Sequence, residues 1–286
     1  MKKYITLWIF VALGYQAYPQ KFFTTFFGGI SNYNGDLNGS NLFLRNSRPA
    51  WGLGIMNEIN DRMFIRADFT YGKIRGDDKL GDKNTSRNLS FESNIAEFSL
   101  AFEYSLFNLY DFKVSPYFYT GAAVFQFKPT THKKNGNYII LPDYNTEGQG
   151  FYKDRKPYKL RQFAIPLGAG LLWAITDNKR IGVVFGYRKA FTDYLDDVST
   201  TYVSATSLSQ HYGNGAVAIA WRGDEINGAA YPAEGAVRGN PKSKDSYFFS
   251  GLTLRVRLQT KGKRRMGDFG YPIKRKARYD CPAAVW

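Results

Sequence analysis

Ile181–Ser199 reads IGVVFGYRKAFTDYLDDVS, and how it is read decides the fold. A smooth apolar run, Ile181–Ala190, passes abruptly into three close aspartates, two rings and a serine. The run has the character of a strand crossing an apolar medium. The acidic end has the character of that strand emerging into water. A chain built this way is a membrane β-barrel, whose strands alternate with period two and whose connections alternate between short and long.

Seven further segments fit. The first is Lys21–Tyr33, ending at the turn signal Asn34-Gly35-Asp36. In Ala50–Glu58, Trp51, Leu53 and Ile55 share one face, and Ala50, Gly52 and Gly54 the other. Large outside and small inside suits a narrow lumen. Met63–Arg75 puts Met63, Ile65, Ala67, Phe69 and Tyr71 opposite Phe64, Arg66, Asp68, Thr70 and Gly72. Ser90–Phe107 sets Phe98, Leu100, Phe102, Tyr104 and Leu106 against Glu97, Ser99, Ala101, Glu103 and Ser105. Ser115–Lys128 is apolar on both sides, so its facing stays open. Tyr158–Ile175 turns Phe163, Ile165, Leu167, Leu171 and Trp173 one way; its mid-strand Pro166 predicts a bulge or a missing ladder bond. Ser246–Leu258 turns Phe248, Leu252, Leu254 and Val256 outward, and Thr253, Arg255 and Arg257 inward. With Arg180–Asp193 these make eight. Segments this long exceed the usual sandwich strand of about 5–6 residues and suit membrane strands of about 9–11.

Turns near Asp61, Leu109 and Asp177 are short, whereas Asn38–Arg48, Gly76–Asn88, Pro129–Pro157 and Val198–Asp245 are long. The expected fold is therefore all-β: an eight-stranded antiparallel transmembrane barrel with short periplasmic turns and long extracellular loops. Eight strands leave a lumen filled by side chains and no open pore. That lumen is expected to hold a network of Arg66, Asp68, Glu97, Glu103, Arg188 and Arg255, paired because buried charge must be.

The ends carry other signals. Met1–Gln20 joins Lys2 and Lys3 to an apolar core too short to span, a signal-peptide pattern that implies export. The barrel is expected over residues 21–259 and a basic periplasmic tail over 260–286. Net charge is +15, and between Lys261 and Arg278 eight cations stand against Asp268 alone. In that tail Lys261, Lys263, Arg264, Arg265, Lys274, Arg275, Lys276 and Arg278 interleave with rings such as Phe269 and Tyr271. Such a mixture can bind nucleic acid, but an exported tail suits an anionic protein surface or lipid headgroups better. With a single cysteine, Cys281, no intrachain disulfide can form.

Catalytic signals are weak. His132 and His211, the only histidines, fall in expected loops without metal or triad spacing. Neither metal nor cofactor is expected. Asp193, Tyr194, Asp196 and Asp197 are expected at the external rim, where the chain enters water and the carboxylates pair with arginines or cap loop amides; Ca²⁺ binding through their hard oxygens is the alternative. Their spacing is not that of an EF-hand loop. Gly76–Asp82 is expected to be a solvated loop, and GNGAVAIA within the last long loop a flexible segment or short hairpin.

SNYNGDLN at Ser31–Asn38, SPYFYTGAAVFQFKP at Ser115–Pro129, GYRKAFTDYLDDVS at Gly186–Ser199, RGNPKSKDSYFFSGLTLRVRL at Arg238–Leu258 and the basic tail together resemble the PorG family. These are outer-membrane barrels of the type IX secretion system of Bacteroidetes, a machinery of protein transport and gliding. The matching positions are Tyr187, Arg188, Thr192, Asp193, Tyr194, Asp196, Asp197 and Ser199, then Gly239, Asn240 and Pro241. The resemblance implies a non-enzymatic component that anchors the periplasmic ring of the lipoprotein PorK and of PorN to the outer membrane. The alternative is a passive small barrel acting through its external loops, as an adhesin or a conduit for small hydrophobic molecules.

Overall fold

The computed structural model describes residues 21–37, 46–80, 84–132 and 136–258. The expected signal peptide and basic tail lie outside the described residues. Nine strands form one antiparallel sheet: β1 Lys21–Asn34, β2 Arg48–Glu58, β3 Met63–Asp77, β4 Ser90–Ser105, β5 Val114–His132, β6 Tyr138–Ile140, β7 Arg161–Thr176, β8 Lys179–Ala190 and β9 Ser246–Arg257. Their order is β4-β3-β2-β1-β9-β8-β7-β5, with β4 pairing β5 to close the ring and β6 lying beside the end of β5. The result is an eight-stranded closed barrel. Each barrel strand coincides with an expected segment to within a few residues.

Alternation sets which side chains face out. Trp51, Leu53 and Ile55 on β2 are about half exposed, as are Phe98, Leu100 and Phe102 on β4. Phe163, Leu167, Leu171 and Trp173 on β7, and Leu252 on β9, continue the belt around the barrel. A soluble protein rarely exposes so continuous an apolar surface, whereas hydrocarbon favours it. The open facing of β5 is resolved: Tyr117, Tyr119, Phe125 and Phe127 point inward, while Phe118 and Val124 point outward.

Pro166 leaves a gap rather than a bulge. Between β5 and β7, Thr120 pairs Leu167 and Ala123 pairs Ala164, so the register is the same on both sides. The pairs between them are missing because proline offers no N–H. On its other side Pro166 keeps its place opposite Arg188.

At the long-loop end the connections fold over the mouth. The β8–β9 connection contains helices α1 Ala205–Tyr212, α2 Asn214–Ala220 and α3 Asp224–Asn227. This corrects the expectation of a flexible segment or hairpin at GNGAVAIA. Val203, Leu208, Ala216 and Ala220 bury together with Tyr144, Phe151 and Tyr231, and that small core makes the helices. His211 therefore lies in α1, stacked on Phe151 at 4.1 Å, and His132 ends β5.

Candidate functional site

The six expected lumen residues come together. Arg66 donates to Asp68 at 2.6 Å and to Glu103 at 3.0 Å. Arg255 grips both oxygens of Glu103 at 2.5 and 3.1 Å. Arg188 donates to Glu97 at 3.1–3.2 Å and to the Tyr119 hydroxyl at 3.1 Å, and Tyr247 donates to Glu97 at 2.8 Å. Glu97, Glu103 and Arg255 have no exposed surface. Three cations thus balance three anions, and forked guanidinium contacts satisfy the carboxylates in pairs.

A second ion cluster, unforeseen, lies nearer the short turns. Glu58 accepts from Lys21 at 2.5 Å, from Tyr110 at 2.8 Å and from Arg180 at 3.5 Å. The Arg180 guanidinium also sits 4.7 Å from the Phe23 ring centre. Parity could have found both ends: Glu58 has the inward parity of Gly52 and Gly54, and Arg180 that of Arg188. A gap of ≈ 30 Å³ lies among Arg66, Asp68, Tyr119 and Arg188, room for one or two waters.

Phe191–Ser199 does lie at the long-loop end of β8, but its carboxylates do not enter water. Asp193, Asp196 and Asp197 are 3%, 1% and 0% exposed. The cap covers them because they organise it. Asp196 accepts from Tyr33 at 2.6 Å and from the Val198 N–H at 2.9 Å. Asp197 accepts from Thr146 at 2.6 Å and Tyr158 at 2.7 Å. Ser199 donates to Asp193 at 2.6 Å. Tyr194 stacks on Tyr158, ring centres 4.7 Å apart, rather than sitting among headgroups.

The centre of the cap is the pair Arg238–Glu147, which parity could not reveal because both lie in loops. Glu147 accepts from Arg238 at 2.9 Å, Ser199 N–H at 2.8 Å and the Thr200 hydroxyl at 2.6 Å. Burial opposes the charge on Arg238, but Glu147 and Asp197 outweigh it and raise its pKa. Burial pushes the Asp193 carboxyl up to about 7 and Asp197 up to about 6, the latter held back by Arg238. Asp78 is buried too, gripped by Arg87 at 2.7 and 2.9 Å. The described part of that stretch, residues 76–80, is thus not simply a solvated loop.

Among the described residues, no cluster of three or more His, Cys, Asp or Glu side chains has the geometry to hold a metal ion. Lys261, Lys263, Arg264, Arg265, Phe269, Tyr271, Lys274, Arg275, Lys276 and Arg278 lie outside the described residues.

Comparison with protein families matches residues 2–216 to the domain of unknown function DUF6089. The chain belongs to the DUF6089 family. Among curated proteins no match is found. Several solved structures are similar to this DUF6089 chain. One is the attachment invasion locus protein Ail of Yersinia pestis in complex with the heparin analogue sucrose octasulfate; it is 10% identical, with a TM-score of 0.41 over 84% of this chain and 100% of that one. Neisserial surface protein A gives the same identity, score and coverage. A major outer membrane protein of Thermus thermophilus is 12% identical, with a TM-score of 0.39 over 84% and 100%. The barrel assignment for this DUF6089 member rests on its strand order and closure.

Proposed function

We propose that this DUF6089 protein is a non-enzymatic outer-membrane barrel that anchors the periplasmic PorK and PorN ring of a type IX secretion machine. The observation that carries an anchoring role is the filled lumen. Paired charges and rings among the described residues fill the barrel from the Glu58 cluster to the cap, which leaves little room for a solute path. A barrel so filled acts through its ends. The apolar belt supports the membrane, and the sequence resemblance to the PorG family supports the ring as partner. At the short-turn end, Ile59, Phe107 and Phe112 are about half exposed. They offer an apolar contact surface, and the cations of the expected basic tail suit an acidic partner.

Deleting Lys261–Trp286 tests this. The truncated barrel is expected to insert normally and to lose co-purification with the ring. Retained co-purification would move the contact to the short turns; failure of the full-length chain to capture ring proteins at all would remove the anchoring role.

The built cap favours a second reading, action through the external loops. Replacing residues 200–240 by a short Gly-Ser link separates the two. An anchor keeps its ring after this change, whereas a loop-acting barrel loses its function.

A further inference from the structure

The outward-facing cations at the long-loop end are not distributed evenly in their pairing. On the β2–β3–β4 side three strand cations share the carboxylates of Glu92 and Asp77, while Lys79 beyond β3 is exposed without an ion pair among the described residues. Lys73 lies 3.3 Å and Arg48 3.6 Å from Glu92, and Arg75 lies 3.2 Å from Asp77. On the β5–β7–β8 side Lys128, Lys159, Arg161 and Lys189 are all exposed. None of these four has an ion pair among the described residues. The β5–β7 register pairs Gln126 with Arg161 and bonds the Phe127 N–H to the Leu160 carbonyl. Continued past the first residue of β7, the same register would set Lys128 opposite Lys159. Like charges opposite one another destabilise a sheet, so this arrangement is favoured when an anion lies between them.

Below these cations, in the same sector, the belt is indented. A groove of ≈ 530 Å³ opens outward between two cross-strand rows. One row runs Phe102–Thr120–Leu167 and the other Tyr104–Phe118–Ala169–Phe185. The small side chains of Thr120 and Ala169 make the floor, and rings make the walls. Arg161 stands six residues from Leu167 along β7, and Lys189 four from Phe185 along β8. At about 3.3 Å per residue the groove lies about 13–20 Å from Lys189 and Arg161 along their tilted strands, and about 26 Å from Lys128 and Lys159, each eight residues from its near edge. One leaflet's hydrocarbon is about 15 Å deep.

We infer that this sector is a binding site for one anionic lipid of the leaflet at the long-loop end. Lys128, Lys159, Arg161 and Lys189 take its phosphate-bearing headgroup, and the Thr120–Ala169 groove takes an acyl chain. Charge selects the headgroup and groove shape holds the chain. The inference rests on the membrane reading of the belt.

The test uses the full chain in phosphatidylcholine vesicles doped with bis-phosphorylated lipid A or with its dephosphorylated form, and reads retained lipid by native mass spectrometry. The wild type is expected to retain the phosphorylated lipid selectively. At about fivefold per charge, K128Q/R161Q/K189Q should weaken retention roughly a hundredfold. K73Q, in the ion-paired sector, should leave it unchanged. Ala169→Phe, which fills the floor, should weaken retention of the phosphorylated lipid with every cation still in place. Equal retention of the dephosphorylated lipid, or full retention by the triple variant, overturns the site. Should the triple variant not give a heat-modifiable barrel, R161Q and K189Q singly carry the same readout. Insertion is scored separately by protease protection. A wild type that does not insert overturns the membrane reading itself, whereas one that inserts without selecting overturns only the lipid site.

Discussion

Glu97 accepts from Arg188 and Tyr247 with no exposed surface of its own. Removing it leaves a buried guanidinium without its counter-charge, which costs about 3–5 kcal/mol, whereas replacing both partners by apolar groups is close to neutral. Glu97→Ala is therefore expected to lower the urea midpoint of the lipid-embedded barrel markedly. The double variant Glu97→Met with Arg188→Met should recover most of the loss. Equal midpoints for the wild type and Glu97→Ala would show that the pair contributes nothing. In the cap the sign with pH runs the other way from a carboxylate whose pKa an ion pair has lowered. Burial raises Asp193 to about 7 and Asp197 to about 6, above the ordinary carboxylate value near 3.9. The stabilisation tied to their protons is complete below about pH 4 and is lost as pH rises through 6 to 7. Loop 191–245 should accordingly resist limited proteolysis better at pH 5 than at pH 8, after normalising to an unfolded substrate. D193N should flatten the upper part of that profile.

At the scale of the element, Pro166 and the pairs around it show how far a strand can be read from sequence. Removing the ring in Pro166→Ala supplies an N–H where the β5–β7 ladder is open, and a gained hydrogen bond contributes about 1 kcal/mol. Slower amide exchange at Gly121–Ala123 and a higher unfolding midpoint are expected; unchanged exchange would mean the gap has another cause. Strand positions, and the facing of β2, β3, β4, β7 and β9, were legible because a barrel wall between an apolar surround and a packed lumen enforces period two; β5, apolar on both sides, hid its facing. Six lumen charges followed from parity alone, and Glu58 and Arg180 obey the same rule at the strand ends. The cap was not legible. Nothing in the spacing of Glu147, Arg238 and Asp197 announces that they meet, because loops carry no period and their contacts span 41 to 91 residues of sequence. Helix α2 was obscured by its glycine and small residues, which acquire helical structure only by packing on Tyr144 and Val203.

Taken as a whole, the molecule is a plugged cylinder with a built lid. Because the plug is made of wall side chains, removing the lid does not open it. Planar-bilayer recordings are expected to show no channel current from the intact protein, and none after residues 200–240 are replaced by a short link. A steady conductance in the second case would place the seal in the loops instead of the lumen.

The ring closes by pairing β1 with β9, which joins the first strand to the last across most of the chain. Arg255 comes from that last strand, and its partner Glu103 from β4. Until the seam is made, both charges face an unfinished wall, so an open intermediate is poorly suited to hydrocarbon. Membrane entry is thereby tied to completion of the C-terminal strand. A chain arrested before Ser246 would have no stable place in the bilayer and would remain a client of chaperones and proteases.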